Sequence, residues 1–445
     1  MTGISPEVLT LLMLGGFFVG VFSGYPLALV IGTVALVSGF LVYGNGLPSL
    51  LYSRAVSGPL YNFTLLACPL FIFMGLILVH SGITEKLFDA LYVWLGGIRG
   101  GLAIVTILIG TIIAATVGVV AASVTMLSVA TLPAMVKRGY DKSLASGVVC
   151  AAGCLGILIP PSVMLVFYGP MAQLSVGRLF FGAFIPGFLL SVLYLLYVLL
   201  RCYFEPQLGP AVPIEERKVP LGKKVLALLT SLVPPVILVL SVLGVIYSGI
   251  ASPTEAAGIG SLAAILLTVA YRKFSLRMLF DVSLETVRIV GFIFLIVIMA
   301  FAFVGVFIGG GGGTVTKNLI LAVPGGAWGA FIVIQLICFF LGFFIDWIGI
   351  VFILIPIVTP IAAAAGFDAI WFAIMICINL QMSFITPPFA MAIFFLRGSV
   401  PPELNITLNH IIRGIWPFVA LITVGLALCV AFPELILWLP SQMIK

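Results

Sequence analysis

The stretch Gly153-Cys154-Leu155-Gly156-Ile157-Leu158-Ile159-Pro160-Pro161-Ser162 sets two consecutive prolines in the middle of an apolar run, 143–177. That run is long enough to cross a bilayer, which takes roughly 20 residues. Proline lacks a backbone donor and clashes with the preceding turn, so a helix through this run must break at the pair. A break at bilayer depth leaves N–H and C=O groups unpaired, which is tolerable only where they line a cavity or bind something. The feature returns near the other end, where Ile378-Asn379-Leu380 leads to Ile385-Thr386-Pro387-Pro388 inside the apolar run 369–396. Pro133, Gly139, Asp141, Cys150, Pro160 and Pro161 recur at one constant offset as Pro360, Gly366, Asp368, Cys377, Pro387 and Pro388, with Tyr140 matched by Phe367 and Phe167 by Phe394. The chain contains an internal repeat. A lone proline would be read as a packing kink. Two matched pairs, flanked by Gly153, Gly156, Ser162, Ser383 and Thr386, point instead to the binding site of a secondary transporter.

Outward from these breaks most of the chain is apolar. Its 445 residues are 63% hydrophobic and 8% charged, with a mean hydropathy of +1.35, against about 25% charged in a soluble domain. Charge-free runs at 8–53, 55–84, 100–136, 225–254, 289–316 and 414–433 complete the pattern of an all-α polytopic membrane protein. At roughly 20 residues per crossing they give about 11–12 transmembrane helices, two of them broken. The run 100–136 is too long for one comfortable helix and holds Gly110, Gly118 and the polar cluster Ser123, Thr125, Ser128; it reads as a re-entrant hairpin. At the repeat offset Val119 maps onto Asp346, the tip of a second hairpin. A carboxylate at mid-membrane costs about 2.5–3.5 kcal/mol even on the lenient insertion scale. Asp346 therefore either works at that tip, including as a cap for the following helix, or lies in a solvated turn.

Residues Glu205 to Lys224 are the most hydrophilic stretch, with Pro206, Pro210, Pro213, Pro220 and the cations Arg217, Lys218, Lys223, Lys224. They divide the chain into a first half, 1–204, a linker, 205–224, and a second half, 225–445. The expected elements are a first hairpin at about 101–136, a broken helix at about 143–170, a second hairpin at about 327–365, a broken helix at about 369–397, and a C-terminal helix at about 405–438. Helices at about 225–248 and 254–270 would bring the linker's cations to the same face as Arg272, Lys273 and Arg277, and the positive-inside rule makes that face cytoplasmic. The net charge of +6 is explained by this pattern and gives no reason to expect nucleic acid. Thr84 to Arg99 and Arg272 to Arg288 read as helices in the headgroup plane, with Arg277–Asp281 an i,i+4 pair. Ser252-Pro253-Thr254-Glu255 is a helix start with a capping box. Gly309 to Gly313 reads as a flexible turn, His80 and His410 as interfacial, and the seven cysteines, none in a CxxC, as small buried hydrophobes. There is no P-loop and no HExxH.

Leu132-Pro133-Ala134-Met135-Val136-Lys137-Arg138-Gly139-Tyr140-Asp141 and the first Pro-Pro stretch resemble the large membrane subunit of tripartite ATP-independent periplasmic (TRAP) transporters, the DctM-like permeases. Phe344-Ile345-Asp346, Ile355-Pro356-Ile357-Val358-Thr359-Pro360, the second Pro-Pro stretch and Ser252-Pro253-Thr254-Glu255-Ala256-Ala257 fit the same family. The similarity covers nearly the whole chain. It implies a multi-pass protein of the bacterial inner membrane: an inverted-repeat, elevator-type transporter that imports a small organic acid with Na⁺ as coupling ion, without a cofactor and without enzymatic activity. It also implies two partners, a small four-helix membrane subunit and a soluble periplasmic substrate-binding protein. Carried over, one sodium and substrate site would use Gly118, Ser123, Gly153, Gly156, Pro160, Pro161 and Ser162. The other would use Asp346, Asn379, Ser383, Thr386, Pro387 and Pro388. The tip Gly118-Val119-Val120 departs from the Gly-Ser-Ser of many members and could shift the first ion toward Ser123. The alternatives are a stand-alone sodium-coupled carboxylate transporter without a binding protein and, more remotely, an intramembrane enzyme, for which Asp346 has no obvious partner.

Overall fold

The computed structural model describes residues 4–443 other than 118–119, 214, 216–218 and 389. Every regular element among the described residues is a helix. Among the described residues eight helical spans are long and apolar enough to cross a bilayer, and two bent pairs raise this to as many as ten. The balance of the 11–12 segments read from sequence lies in shorter apolar helices such as Lys142–Ile157, Val163–Ala172 and Ala369–Ile385. These are short because hairpin tips and proline pairs interrupt them.

The repeat is visible as an order of elements. Gly101–Val117 and Val120–Lys137 form the arms of the first hairpin; Lys142–Cys154 and Val163–Ala172 are the two pieces of the first broken helix; Val176–Phe204 follows. At the same offset come Gly326–Leu341, then Trp347–Ile353 with Ile355–Ala364, then Ala369–Ile385 and Met391–Ser399, then Leu408–Ala431. Leu27–Tyr43 likewise corresponds to Pro253–Ala270, and Ile83–Leu95 to Gly312–Leu321.

The repeated identities have local physical causes. Asp141 caps the first broken helix by accepting from Leu144 N at 2.8 Å, and Asp368 caps the second by accepting from Ile370 N and Trp371 N at 2.9 Å each. Gly139 and Gly366, just before them, have φ of 78° and 85°, a region that favours glycine. Both Pro-Pro bonds are cis. The repeats differ where their prolines differ: the second arm of the second hairpin bends by 55° between Ile353 and Ile355. Pro356 follows at once and cannot donate back to Phe352. Its counterpart in the straight arm Val120–Lys137 is Val129.

Close packing fixes the broken helices. Lys142–Cys154 crosses Leu408–Ala431 at Gly147 and Gly414, where a Cβ on Gly414 would run into the Ser143 carbonyl and the Gly147 backbone. Small residues let membrane helices approach in this way. On one face Gly100 N donates to Gly209 O at 2.8 Å, Asp141 N to Leu208 O at 3.0 Å and Trp94 Nε1 to Lys224 O at 3.1 Å. Lys142 Nζ donates to Asn405 O at 3.1 Å on the same face. The stretch after Phe204, the base of the first hairpin and the start of the first broken helix thus meet on one face, beside the linker's cations.

Several expectations change. Arg272 to Arg288 is not a separate surface helix: Ser275 caps a continuous 34-residue helix, Leu276–Gly309. Asp281, Glu285 and Arg288 are exposed on it, while buried Val282 and Thr286 keep its packed face unbroken into the span. Arg277 and Asp281 lie one turn apart without forming an ion pair. The C-terminal segment is two helices, Leu408–Ala431 and Glu434–Ser441, because Pro433 cannot continue the first. A helix begins at Leu221, inside the hydrophilic stretch. Other readings hold. Ile83–Leu95 is an amphipathic helix with Ile83, Leu87 and Leu91 buried and Glu85, Lys86 and Asp89 exposed. The capping box closes through Ser252 N to Glu255 Oε2 at 2.7 Å and Glu255 N to Ser252 Oγ at 3.3 Å. All seven cysteines are buried and free, whereas of the run Gly309 to Gly313 only Gly310 and Gly311 form a turn, Gly309 ending one helix and Gly312 and Gly313 beginning the next.

Candidate functional site

At the first break, Lys142–Cys154 tightens into a 3₁₀ turn, Leu155–Ile157, and the chain resumes as helix only at Val163. Ser162 Oγ reaches back across the gap to donate to Ile157 O at 2.6 Å. The arm Val120–Lys137 lies against this element. A Cβ on Gly153 would collide with Val124, and one on Gly156 would sit 3.4 Å from Ser123 Oγ and 3.6 Å from Ala114 Cα. Gly153 therefore lets the hairpin touch the broken helix next to its break, and Gly156 faces Ser123 and Ala114 there. Ser123 is buried, and its hydroxyl has no hydrogen-bond partner among the described residues. The structure thus gathers Ser123, Gly153 and Gly156 beside the Pro160-Pro161-Ser162 break. Gly118 lies outside the described residues.

The second junction is built in the same way. Ala369–Ile385 ends at Thr386, whose backbone is extended (φ −96°, ψ 126°) as expected of a residue preceding proline. Thr386 Oγ1 donates to Met382 O at 2.7 Å and Ser383 Oγ to Leu380 O at 2.8 Å. With their protons given to helix carbonyls, both hydroxyls turn lone pairs outward. A Cβ on Gly342, from the second hairpin, would strike Ser383. This contact sits within one residue of the repeat equivalent of Ala114 with Gly156. Asn379 Nδ2 donates to Gln335 O at 2.7 Å and to Gln335 Oε1 at 2.6 Å, leaving Asn379 Oδ1 buried without a donor. Buried oxygens short of donors are the ligands a hard cation takes.

Asp346 stands apart from this contact set. It is half-buried, and its Oδ1 accepts from Trp347 N at 2.8 Å as the cap of Trp347–Ile353. It lines a cavity of about 890 Å³ with Phe384, the neighbour of Ser383. The arm Val120–Ala130 forms one wall of this inner cavity, and Leu76–His80 with Glu285–Ile293 form the other. Its charged lining is Glu85, Glu285, Arg288 and Asp346, with His80 beside them. A crevice of about 460 Å³ between Pro6–Phe22 and the second hairpin is lined by apolar side chains and Thr316, so it offers almost nothing polar for recognition.

Sequence reasoning missed Gln335, Gly342 and Arg288. Gln335 carried a signal, as a lone amide within the apolar stretch Phe331 to Leu341. Arg288 was hidden by reading its segment as a surface helix, and Gly342 by the absence of any pattern around it.

The chain matches the family model "Tripartite ATP-independent periplasmic transporter, DctM component" over residues 14–435. It is 30% identical over 424 residues to the sialic acid TRAP transporter large permease protein SiaM of Vibrio cholerae, covering 94% of this chain and 96% of that one. It is 30% identical to the C4-dicarboxylate TRAP transporter large permease protein DctM of Pseudomonas aeruginosa, covering 85% and 87%. The ectoine TRAP transporter large permease protein TeaC of Halomonas elongata is 28% identical, over 94% and 95%. Among solved structures, the fold is similar to the Alcanivorax borkumensis YdaH transporter (TM-score 0.64, 16% identity, 97% and 99% covered) and to Neisseria gonorrhoeae MtrF (TM-score 0.61, 15% identity, 96% and 97% covered). Matched over nearly its full length and built from these hairpins and broken helices, the chain belongs to the DctM component family, the multi-pass large permeases of TRAP transporters in the bacterial inner membrane, which are transporters and not enzymes.

Proposed function

We propose that this permease imports a small organic acid, handed over by a periplasmic substrate-binding protein, in symport with Na⁺ and by an elevator movement of the hairpins and broken helices. The observation that carries the reading is the matched pair of junctions, where a hairpin meets a broken helix over buried oxygens: Ser123 with Gly156, and Gly342 with Ser383. The inner cavity between these elements and the remaining helices is of a size for a small carboxylate. Similarity to permeases named for sialic acid and C4-dicarboxylates supports an acidic solute, and family membership supports a small four-helix membrane subunit as second partner.

Ion coupling also fits the energetics. A tenfold Na⁺ gradient supplies about 1.4 kcal/mol per ion, and 100 mV adds about 2.3 kcal/mol per net charge moved. Two Na⁺ with a monoanion would provide roughly 5 kcal/mol, enough to concentrate solute several thousandfold. We expect Thr386→Ala to weaken apparent Na⁺ affinity about tenfold, read from Na⁺-dependent melting of the purified protein. An unchanged titration would reduce Thr386 to a packing residue. Affinity purification from native membranes tests the assembly: a small membrane protein in near-equal amount and a soluble binding protein are expected. Sodium-driven uptake by the chain alone would favour a stand-alone carboxylate transporter.

A further inference from the structure

A second cavity of about 540 Å³ lies toward the other end of the long helix, lined by Phe301–Gly309, the bent arm Phe352–Ala363, Gln173, Asn62 and Arg54. The repeat relates it to the inner cavity. Thr125 and Phe352, Val129 and Pro356, and Ile289 and Asn62 are equivalent positions, one of each pair lining each cavity. Ile289 and Gly305 are separated by about 24 Å of helix at 1.5 Å per residue, so the cavities lie toward opposite ends of the long helix. Their charges differ. The inner cavity sets Glu85, Glu285 and Asp346 against Arg288, whereas Arg54 is the one charged group lining the outer cavity among the described residues.

Arg54 is also specifically housed. It is exposed and sits on a π-helical turn, Tyr52–Ser57, a rare conformation that recurs at functional sites. A Cβ on Gly305 would lie 3.1 Å from Arg54 Cγ, so this glycine leaves the notch along which the side chain runs. Because Coulomb interactions fall with distance, the charges lining each cavity act on its contents more strongly than those about 24 Å away.

We propose that the outer cavity is the entry site for the solute anion, with Arg54 as its charge-bearing contact, and that the carboxylate-rich inner cavity is a low-affinity exit. This rests on the reading of the solute as an organic acid. A transporter cannot gain free energy from such an asymmetry; what it gains is tight capture outside and ready release inside.

The test uses charged thiol reagents, which need no knowledge of the solute. Because the seven native cysteines are buried, a single introduced cysteine reports on its surroundings. Gln173→Cys probes the outer cavity and Thr125→Cys the inner one, both at exposed positions, in purified protein with both faces accessible. The reagents are the anionic 2-sulfonatoethyl and the cationic 2-(trimethylammonium)ethyl methanethiosulfonates. The anion-to-cation rate ratio at Gln173→Cys should fall about fivefold with Arg54→Gln, as expected for one charge roughly 9 Å away in water acting with opposite sign on the two reagents, and should be kept by Arg54→Lys. The ratio at Thr125→Cys should be lower, should ignore Arg54→Gln and should rise with Glu285→Gln. Equal ratios at the two positions, or no response to Arg54→Gln, would overturn the proposal. Either result would leave sodium coupling, tested by Thr386→Ala, standing on its own.

Discussion

Replacing Gly414 with leucine is expected to leave little folded permease. Gly414 faces the Ser143 carbonyl and the Gly147 backbone of the first broken helix, and a Cβ there has no room. Overpacking a core usually costs about 1–3 kcal/mol, because side chains can shift. Here the obstacle is main chain, which cannot change rotamer, so the two helices must separate. Membrane helices associate by packing rather than by a hydrophobic drive, and separation removes that stabilisation along the whole contact. The expected loss is about 4 kcal/mol or more, in the range reserved for disrupted backbone packing. Fluorescence-detected gel filtration of the detergent-solubilised protein should show aggregation for Gly414→Leu and an intermediate profile for Gly414→Ala. Gly291→Ala is the control, since a Cβ there meets nothing within 4 Å. A wild-type profile for Gly414→Leu would mean that the close crossing is wrong.

The second large effect is expected at the breaks. Pro387 and Pro388 withhold two backbone donors where Ala369–Ile385 ends, and Thr386 becomes extended instead of helical. Pro387→Ala returns a donor and removes the ring, which lets the helix extend by part of a turn and carries the Thr386 hydroxyl away from the junction. Transport should fall by about two orders of magnitude, because a displacement of about 1 Å at a binding site can cost a hundredfold. Folding should survive, since the helix gains a hydrogen bond. Pro160→Ala should behave alike at the other junction. Sodium-dependent melting together with uptake checks both: near-normal expression with weakened Na⁺ response and lost uptake is the expected combination. Wild-type uptake in either variant would leave the prolines a packing role only.

What could be read beforehand follows from which physics is local. Proline pairs, capping aspartates and turn glycines act within a few residues, so Pro160, Pro387, Asp141, Asp368, Gly139 and Gly366 announced the repeat and the ends of its helices. Ser252 with Glu255 did the same for one helix start. The boundary at Arg288 was misread because charges on one side of a helix look alike whether the helix lies on a membrane or leaves it; only the continuity through Val282 and Thr286 separates the two. Contacts across the fold were the least legible. Gly147 meeting Gly414, Gly342 meeting Ser383, and Gln335 holding Asn379 each join segments far apart in sequence, and no local pattern specifies them. Ser123 could be named as a candidate, yet not that its hydroxyl would be buried without a partner.

That hydroxyl offers the most direct test of sodium coupling at the paired breaks. The measurement is a sodium titration of thermal stability for wild type and Ser123→Ala, with potassium as control. Sodium binding to the folded state should stabilise wild type by about 1.4 kcal/mol at ten times the dissociation constant, with potassium inert. In sodium-free medium Ser123→Ala should be as stable as wild type or more so, because it removes a buried polar group that lacks a partner. It should nevertheless need about tenfold more sodium for the same stabilisation. A wild-type sodium response in Ser123→Ala, or equal stabilisation by potassium, would contradict the assignment of a sodium site to the first junction.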